Sequence, residues 1–115
     1  MTTNTETLLK LITETLDDRK AKDIKILDVK ALTSITEFMV VCSGTSNRHV
    51  SSISDYIVDI AKKNHAHLIG IEGKDAGEWV LVDLDTVIVH IMLPRVREFY
   101  QLEKLWDFQQ EDSPA

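Results

Sequence analysis

Apolar residues recur at every third or fourth position in three segments of the chain, which is the spacing of an amphipathic helix. The first helix is predicted over residues 5–20, and the second begins after Ser46 or Asn47, since either side chain can cap a helix. The third is predicted from Pro94, which the first turn of a helix tolerates, to residue 108. The apolar stripes of the first two helices are Leu8, Leu9, Ile12 and Leu16, and Val50, Ile53, Ile57 and Ile60.

Five other segments have the apolar and β-branched composition of strands. They span residues 24–29, 37–44, 67–73, 78–84 and 86–93. The second contains the unbroken apolar run "FMVVCSG", which suits a strand buried on both faces. The last two are joined too tightly for anything but an antiparallel hairpin, and one helical crossover is expected to give a parallel neighbour. The order α-β-β-α-β-β-β-α predicts a single α/β domain with a mixed sheet and packed helices.

The size and composition of the chain fit one domain with its own core, since 43% of the 115 residues are hydrophobic. We assign that domain to residues 1–107 and predict a polar tail over residues 108–115. Apolar runs stay well below the roughly 20 residues that span a bilayer, and the N-terminus lacks a signal-peptide pattern. The only cysteine, Cys42, lies in a predicted strand, so we expect a buried thiol. A cytoplasmic protein without membrane contact is expected.

The negative charge of the chain is concentrated in its C-terminal part. Residues 1–71 carry nine acidic and nine basic side chains, whereas residues 72–115 carry ten acidic and four basic ones. This balance disfavours extensive direct contact with nucleic acid, because phosphate binding depends on Lys and Arg. A basic protein surface would be a natural partner, and a solvated acidic face that maintains solubility is the alternative.

Two aspartates, Asp83 and Asp85, lie one residue apart in "WVLVDLDTVIVHIM". Such a pair at the tip of a strand can hold a divalent metal for nucleotidyl transfer, or it can be the polar turn of a hairpin. A nucleotidyltransferase would place a Gly-Ser turn and a close carboxylate pair about ten residues apart, and the junction "SGTSNRHV" is instead followed by Asp55 alone, in the middle of a helix. We therefore predict no catalytic residues here.

The four histidines do not form a recognisable metal-ligand pattern. His65 and His67 flank Ala66 at a helix-to-strand loop, and no Cys or carboxylate lies at ligand spacing from them. His90 alternates with apolar neighbours in a strand, so we expect a partly buried side chain with one hydrogen bond. The sequence predicts neither a metal site nor a cofactor.

The third helix and the start of the hairpin carry the aromatic side chains most suited to an interface. At 100° per residue, Phe99, Leu102 and Trp106 share a face that we assign to the core, with Leu105 to one side. Val96, Tyr100 and Glu103 form an adjacent stripe that resembles an interface. Trp79 follows a Gly-containing loop, where an aromatic ring is often half exposed. Aromatic residues with an acidic surround are typical anchors for a protein partner, although the same residues can simply close one end of the core.

Three segments together resemble the Iojap-like ribosomal silencing factors: "SITEFMVVCSGTSNRHV", "GIEGKDAGEWVLVD" and "VIVHIMLPRVREFYQLEKLW". The resemblance extends from about residue 5 to Trp106, and the order and spacing of the motifs are specific. It implies a mixed-sheet domain related in fold to nucleotidyltransferases but without their catalytic carboxylates. It also implies a non-enzymatic translational repressor, which binds large-subunit ribosomal protein fourteen and sterically blocks joining of the small subunit under nutrient limitation.

By motif, the resemblance implies that Trp79, Tyr100 and Glu103 contact the ribosomal protein, with Asp83 and Glu98 as weaker candidates on the same surface. Organellar members act in assembly of the large subunit, so an assembly factor is one alternative. A magnesium-dependent nucleotidyltransferase using the two aspartates is a less favoured one. The exposed aromatic positions are also compatible with a homodimer of the free protein.

This chain departs from the family pattern at two places. Relatives commonly have Asp-aromatic-Gly-Asp at the hairpin turn, where this chain has Asp83, Leu84, Asp85 and Thr86. Asp85 replaces the turn glycine of the relatives, and aspartate can adopt a left-handed conformation at modest cost. Relatives also tend to have Asp-Tyr where residues 37–38 are Glu-Phe.

Overall fold

The computed structural model describes residues 4–100, which form five strands and three helices in the predicted order. The helices are α1 (Thr5–Asp18), α2 (Asn47–Lys63) and α3 (Pro94–Tyr100), and the strands are β1 (Lys22–Asp28), β2 (Phe38–Ser43), β3 (Gly70–Glu72), β4 (Trp79–Asp83) and β5 (Val87–Met92). The predicted single α/β domain with a mixed sheet is therefore confirmed. The last turns predicted for the third helix and the polar tail lie outside the described residues.

The five strands form one sheet in the order β1-β2-β5-β4-β3. Strands β2 and β5 are parallel, and the other neighbouring pairs are antiparallel. The parallel neighbour of β2 is thus β5 and not β3, the strand that directly follows the α2 crossover. Strand β3 lies at the far edge, because the β4–β5 hairpin occupies the positions between it and β2.

The two faces of the sheet differ in what covers them. Helices α1 and α2 pack on one face, where alternate residues of the hairpin such as Val80, Val82 and Val89 are fully buried. The opposite face carries the intervening residues, which include Trp79 and His90. Because side chains alternate along a strand, the hairpin presents a uniform aliphatic surface to the helices and a mixed surface on its other side.

Side-chain caps fix where the first two helices begin. Asn4 Oδ1 accepts the Thr7 N–H at 2.8 Å, and Ser46 Oγ accepts the His49 N–H at 3.1 Å, so Ser46 and not Asn47 caps α2. The His49 ring joins the two helices, since Nδ1 accepts from the Thr45 N–H and Nε2 donates to the Arg19 carbonyl. This histidine therefore orients α2 against the end of α1.

The second strand is buried as predicted, and the third is shorter than predicted. Cys42 in β2 is completely buried, and burial raises the pKa of its thiol to about 12, so it is an inert core residue. Residues 67–73 were predicted as a strand, but only Gly70–Glu72 is one. Among the described strands it pairs with β4 alone, and the ladder ends where Gly70 pairs with Asp83. Within residues 4–100, no helix is long and apolar enough to cross a membrane.

Candidate functional site

The two aspartates that first suggested a metal site belong to the tight turn between β4 and β5. The Asp83 Oδ1 atom accepts the Asp85 N–H at 2.9 Å, which is a turn closed by a side chain. Asp85 has a φ of 72°, the left-handed conformation that aspartate can adopt at modest cost, and Leu84 between the two aspartates is buried. The carboxylate of Asp83 thus stabilises the turn itself.

No metal-ligand set forms around this turn within the described part of the chain. There, no group of three or more His, Cys, Asp or Glu side chains is close enough to hold an ion. His67 Nδ1 lies 4.0 Å from Asp85 Oδ2, and both side chains are exposed. Asp83 and Asp85 are thus part of the hairpin turn, with Asp85 in the left-handed conformation.

The other end of the hairpin is open. The loop over residues 73–77 precedes β4 at this end and is hydrogen-bonded to α2. Asn47 Nδ2 donates to the Ala76 carbonyl at 2.7 Å, and Ser51 Oγ donates to the Lys74 carbonyl at 2.9 Å. Lys74 also forms an ion pair with Asp55 of the same helix. Because α2 holds this loop, the start of β4 is held in place as well.

Two glycines make this close approach feasible. Gly73 and Gly77 have φ values of 83° and 69°, which side-chain-bearing residues rarely adopt. A Cβ atom on Gly73 would lie 2.1 Å from the Trp79 carbonyl oxygen, and one on Gly77 would lie 2.7 Å from the Asn47 carbonyl oxygen. The loop can therefore pack against both α2 and the backbone of Trp79 only with glycine at these positions.

Trp79, half buried at the start of β4, belongs to a small group of aromatic side chains in contact with one another. Its indole N–H donates to His90 Nδ1 at 3.0 Å, and its ring lies 5.0 Å from that of Tyr100 at an angle of 48°. Phe99 meets the Tyr100 ring edge-on at 4.9 Å. These separations are typical of favourable aromatic pairs. We call Trp79, Phe99 and Tyr100 the aromatic cluster.

The structure corrects which face of the last helix is buried. Phe99 was assigned to the core but is 78% exposed, whereas Val96, assigned to the interface stripe, is buried. Tyr100, from the same stripe, is 57% exposed. The helix is rotated relative to the prediction because Arg97 Nη1 donates to Ser43 Oγ at 3.0 Å and Tyr100 packs on Trp79. Leu102, Leu105 and Trp106, the other residues assigned to that core face and its side, lie outside the described residues.

Two of the remaining predicted site residues, Glu98 and Asp83, lie within the described residues. Glu98 is exposed on α3, next in sequence to the aromatic cluster, and Glu103 lies outside the described residues. Asp83 points to the same face of β4 as Trp79, but at the other end of the strand, about 13 Å away at 3.3 Å per residue. Asp83 and Trp79 therefore lie at opposite ends of β4.

A charged pair borders the aromatic cluster. Arg95 Nη2 lies 3.4 Å from Glu78 Oε2, and both side chains are well exposed. Together with Val96 and the aromatic cluster, these residues line one shallow open groove. Aromatic residues with a polar border are the usual composition of a protein-binding surface.

Sequence reasoning missed two residues of this region. Phe99 was missed because its helical spacing matched a core face. His90 was expected to be partly buried with one hydrogen bond; it is almost fully buried, and its hydrogen-bond partner, Trp79, was not identified. The hairpin register holds the relevant signal, since Trp79 pairs with Met92 and Leu81 pairs with His90, which makes Trp79 and His90 diagonal neighbours on one face.

A single α/β domain that presents exposed aromatic rings, and whose candidate carboxylates are engaged in a turn, has the surface features typical of domains that bind a protein partner. Comparison with known proteins specifies the class further. The sequence profile of the family described as "Ribosomal silencing factor during starvation" matches residues 2–115. The chain belongs to this family of ribosomal silencing factors, as its motifs suggested.

Individual relatives support the family assignment over most of the chain. Ribosomal silencing factor RsfS of Haemophilus influenzae is 46% identical over 86% of this chain and 97% of its own length. A mouse protein named "Mitochondrial assembly of ribosomal large subunit protein 1" is 36% identical over 90% of this chain and 47% of its own length.

A solved structure shows the same fold. The crystal structure of a Chromobacterium violaceum protein is 42% identical and superimposes with a TM-score of 0.89, covering 91% of this chain and 88% of that one. The relatives are named as silencing or assembly factors of the ribosome and not as enzymes.

Proposed function

We propose that this chain is a non-enzymatic translational repressor that binds the large ribosomal subunit through large-subunit ribosomal protein fourteen and sterically blocks docking of the small subunit. The extent of repression then depends on the affinity and occupancy of the complex, because no catalytic turnover is involved. Membership of the silencing-factor family supports the general role. The partner and the binding face are our inference.

The observation that carries the proposal is the exposed aromatic cluster. Trp79 and Tyr100 are in mutual contact, and Tyr100 and Phe99 are more than half exposed. Large aromatic side chains that are packed together at a surface supply most of the binding energy in many protein interfaces. The cluster contains both of the described residues, Trp79 and Tyr100, that the family motif most strongly implies as contacts.

The acidic charge of the C-terminal part of the chain favours a basic partner. The C-terminal part from residue 72 carries six more acidic than basic side chains, ten against four. Glu78 and Glu98 are exposed near the aromatic cluster. Complementary charge increases the rate of encounter and disfavours wrong partners, as expected for an acidic protein that binds a basic ribosomal protein.

The direct test uses purified subunits and two variants. The wild-type protein is expected to sediment with large subunits and to inhibit subunit joining, and a variant combining Trp79→Ala with Tyr100→Ala is expected to do neither. Tyr56→Ala is the matched control, because it truncates an exposed tyrosine of α2 that packs on Arg19 outside the aromatic cluster. Full inhibition by a folded double variant would refute the site.

Assembly of the large subunit is a second candidate function. The name of the mouse relative favours it, since that protein is described as acting in mitochondrial assembly of the large subunit. An assembly factor would use the same binding face. Ribosome profiles of a deletion strain separate the two: accumulated large-subunit precursors indicate assembly, whereas normal precursors with excess joined ribosomes in starvation indicate silencing.

The nucleotidyltransferase hypothesis has the weakest support. Asp83 accepts a backbone hydrogen bond within the turn, and the left-handed Asp85 follows it. Titration of nucleoside triphosphate with magnesium is the simple test. Binding at millimolar concentration that Asp83→Asn abolishes would revive the enzymatic hypothesis, and its absence would leave the binding role alone.

A further inference from the structure

His90 is an unusual residue for its position in the sheet. It lies in the middle of β5, is only 5% exposed, and has Leu81 and Val41 as its cross-strand neighbours on the two sides. Burying a polar ring among aliphatic side chains is unfavourable unless the ring gains a hydrogen bond. An aliphatic residue would satisfy the core at this position, so the imidazole must be explained by the contact that it makes.

The contact is the hydrogen bond from the Trp79 indole N–H to His90 Nδ1, 3.0 Å long. An indole has a single polar atom, and that atom only donates. Once Nε1–H is committed to His90, the rotation of the indole about its side-chain bonds is fixed. The ring lies tilted at 50° to the imidazole, with the centroids 6.0 Å apart.

The same indole supports the exposed rings of the aromatic cluster through its contact with Tyr100. Tyr100 packs on Trp79 at 5.0 Å, and Phe99 packs edge-on against Tyr100. A chain of contacts therefore runs from the buried imidazole to the most exposed ring. If the indole rotates, Tyr100 loses the surface against which it packs.

We propose that His90 is a positioning residue for partner binding: it accepts the Trp79 indole N–H and thereby pre-orients the aromatic cluster. This inference rests on the proposed function, and it adds a buried residue that has no access to the partner. Pre-orientation improves affinity because the cost of ordering side chains is met before the partner arrives.

The chemical state of His90 agrees with this role. Burial lowers the pKa of His90 to about 4, so the ring is neutral at neutral pH. Donation by Trp79 to Nδ1 requires the tautomer that carries its proton on Nε2. The lone pair that receives the indole N–H is thus available under physiological conditions.

The test compares two substitutions of His90 in a Trp106→Phe background, which leaves Trp79 as the only tryptophan. His90→Asn retains an acceptor near the Nδ1 position, and His90→Leu is aliphatic and has none. The first readout is the proton chemical shift and hydrogen-exchange rate of the Trp79 indole N–H in the free protein. We expect a protected, downfield resonance in the parent and in His90→Asn, and a fast-exchanging, shifted one in His90→Leu.

The second readout is affinity for purified large subunits. His90→Leu is expected to bind about tenfold more weakly than the parent, and His90→Asn within about threefold of it, since one buried hydrogen bond is at stake. Trp79→Phe removes the donor but keeps an aromatic ring, and it should weaken binding by a similar factor. Combining it with His90→Leu should add little, because both remove the same contact.

The two readouts separate the failure of this inference from failure of the proposed function. An unchanged indole resonance in His90→Leu, or additive effects of the two substitutions, would overturn the positioning role even if Trp79 proves essential for binding. Conversely, a changed indole resonance with binding unaffected by Trp79→Ala would refute the binding face. If His90→Leu does not fold, Trp79→Phe and His90→Asn still provide the comparison.

Discussion

The two ends of the β4–β5 hairpin are built from the same pair of strands but differ in what their polar groups do. At the turn, Asp83 accepts a hydrogen bond from the backbone of Asp85, so the interaction lies within three consecutive residues. At the open end, the polar groups of Trp79 and His90 bind each other and leave aromatic rings at the surface.

This difference indicates where to look for function in a domain of this kind. The carboxylates are the conspicuous feature of the sequence, but their hydrogen bonds are local and serve the turn. The open end combines residues from four consecutive elements: a Gly loop, two strands and α3. A surface that depends on contacts among four elements is a better candidate for recognition than a turn whose hydrogen bond is internal to it.

Acidification should produce the largest effect, and it should act at the open end. The folded-state pKa of His90 is lowered from 6.5 to about 4, so below pH 6.5 the unfolded chain binds a proton that the folded chain does not. The stability contributed by neutral His90 is complete above pH 6.5, falls as the pH decreases, and is reduced by about 3 kcal/mol near pH 4.

Urea unfolding of the wild type and of His90→Asn between pH 7.5 and 4 measures this effect. The difference between their free energies of unfolding isolates His90 from the carboxylates, which titrate in both proteins. A difference that stays constant over this range would contradict the assignment of a neutral, buried imidazole.

Gly73→Ala should be the next largest perturbation. Its Cβ atom would clash with the Trp79 carbonyl oxygen at a φ of 83°, so the loop must shift. We expect a loss of about 2 kcal/mol in the free energy of unfolding, together with a changed Trp79 emission spectrum when both proteins carry Trp106→Phe. Gly70→Ala is the control, since a Cβ atom at that position would meet nothing within 4 Å and the substitution should have a much smaller effect.

Phe99→Ala tests whether the rotated face of α3 takes part in binding. Because Phe99 is 78% exposed, its removal should cost little stability, but it should weaken binding to large subunits about tenfold. Equilibrium sedimentation with labelled protein measures the affinity, and Tyr56→Ala is the matched control. If Phe99→Ala lowers the melting temperature and leaves affinity unchanged, the original core assignment was correct.

The smallest effect is expected at the turn end, with the opposite sign. Asp85→Gly replaces a left-handed aspartate by the residue that tolerates this conformation, so the free energy of unfolding should rise by about 0.5–1 kcal/mol. Affinity for the large subunit should stay within twofold of the wild type. A large loss of binding would show that the turn contributes to recognition after all, and the contrast between the two ends would disappear.

Much of the fold follows from local patterns in the sequence. The period of apolar residues located α1 and α2, and the short spacing between the last two strands required the hairpin. The left-handed conformation of Asp85 was predictable because the position resembles a turn where glycine is common. These features depend on neighbours within a few residues, which a sequence pattern records directly.

Features set by distant contacts were not predictable in the same way. Helical spacing fixed the angle between Phe99 and Val96 but not which of them faces the sheet, and that choice depends on the Arg97–Ser43 and Trp79–Tyr100 contacts. The parallel pairing of β2 with β5 likewise depends on the whole sheet. Trp79 was recognised from the sequence, but the buried partner that orients it required the strand register.

Mapping the contact with purified ribosomal protein fourteen tests the central claim most directly. Isotopically labelled protein is titrated with it, and backbone and indole resonances are followed by NMR. We predict saturable shifts concentrated at the start of β4, in α3 and at the Trp79 indole N–H, with little change at residues 83–87. No saturable change, or changes centred on the Asp83–Asp85 turn, would contradict the account.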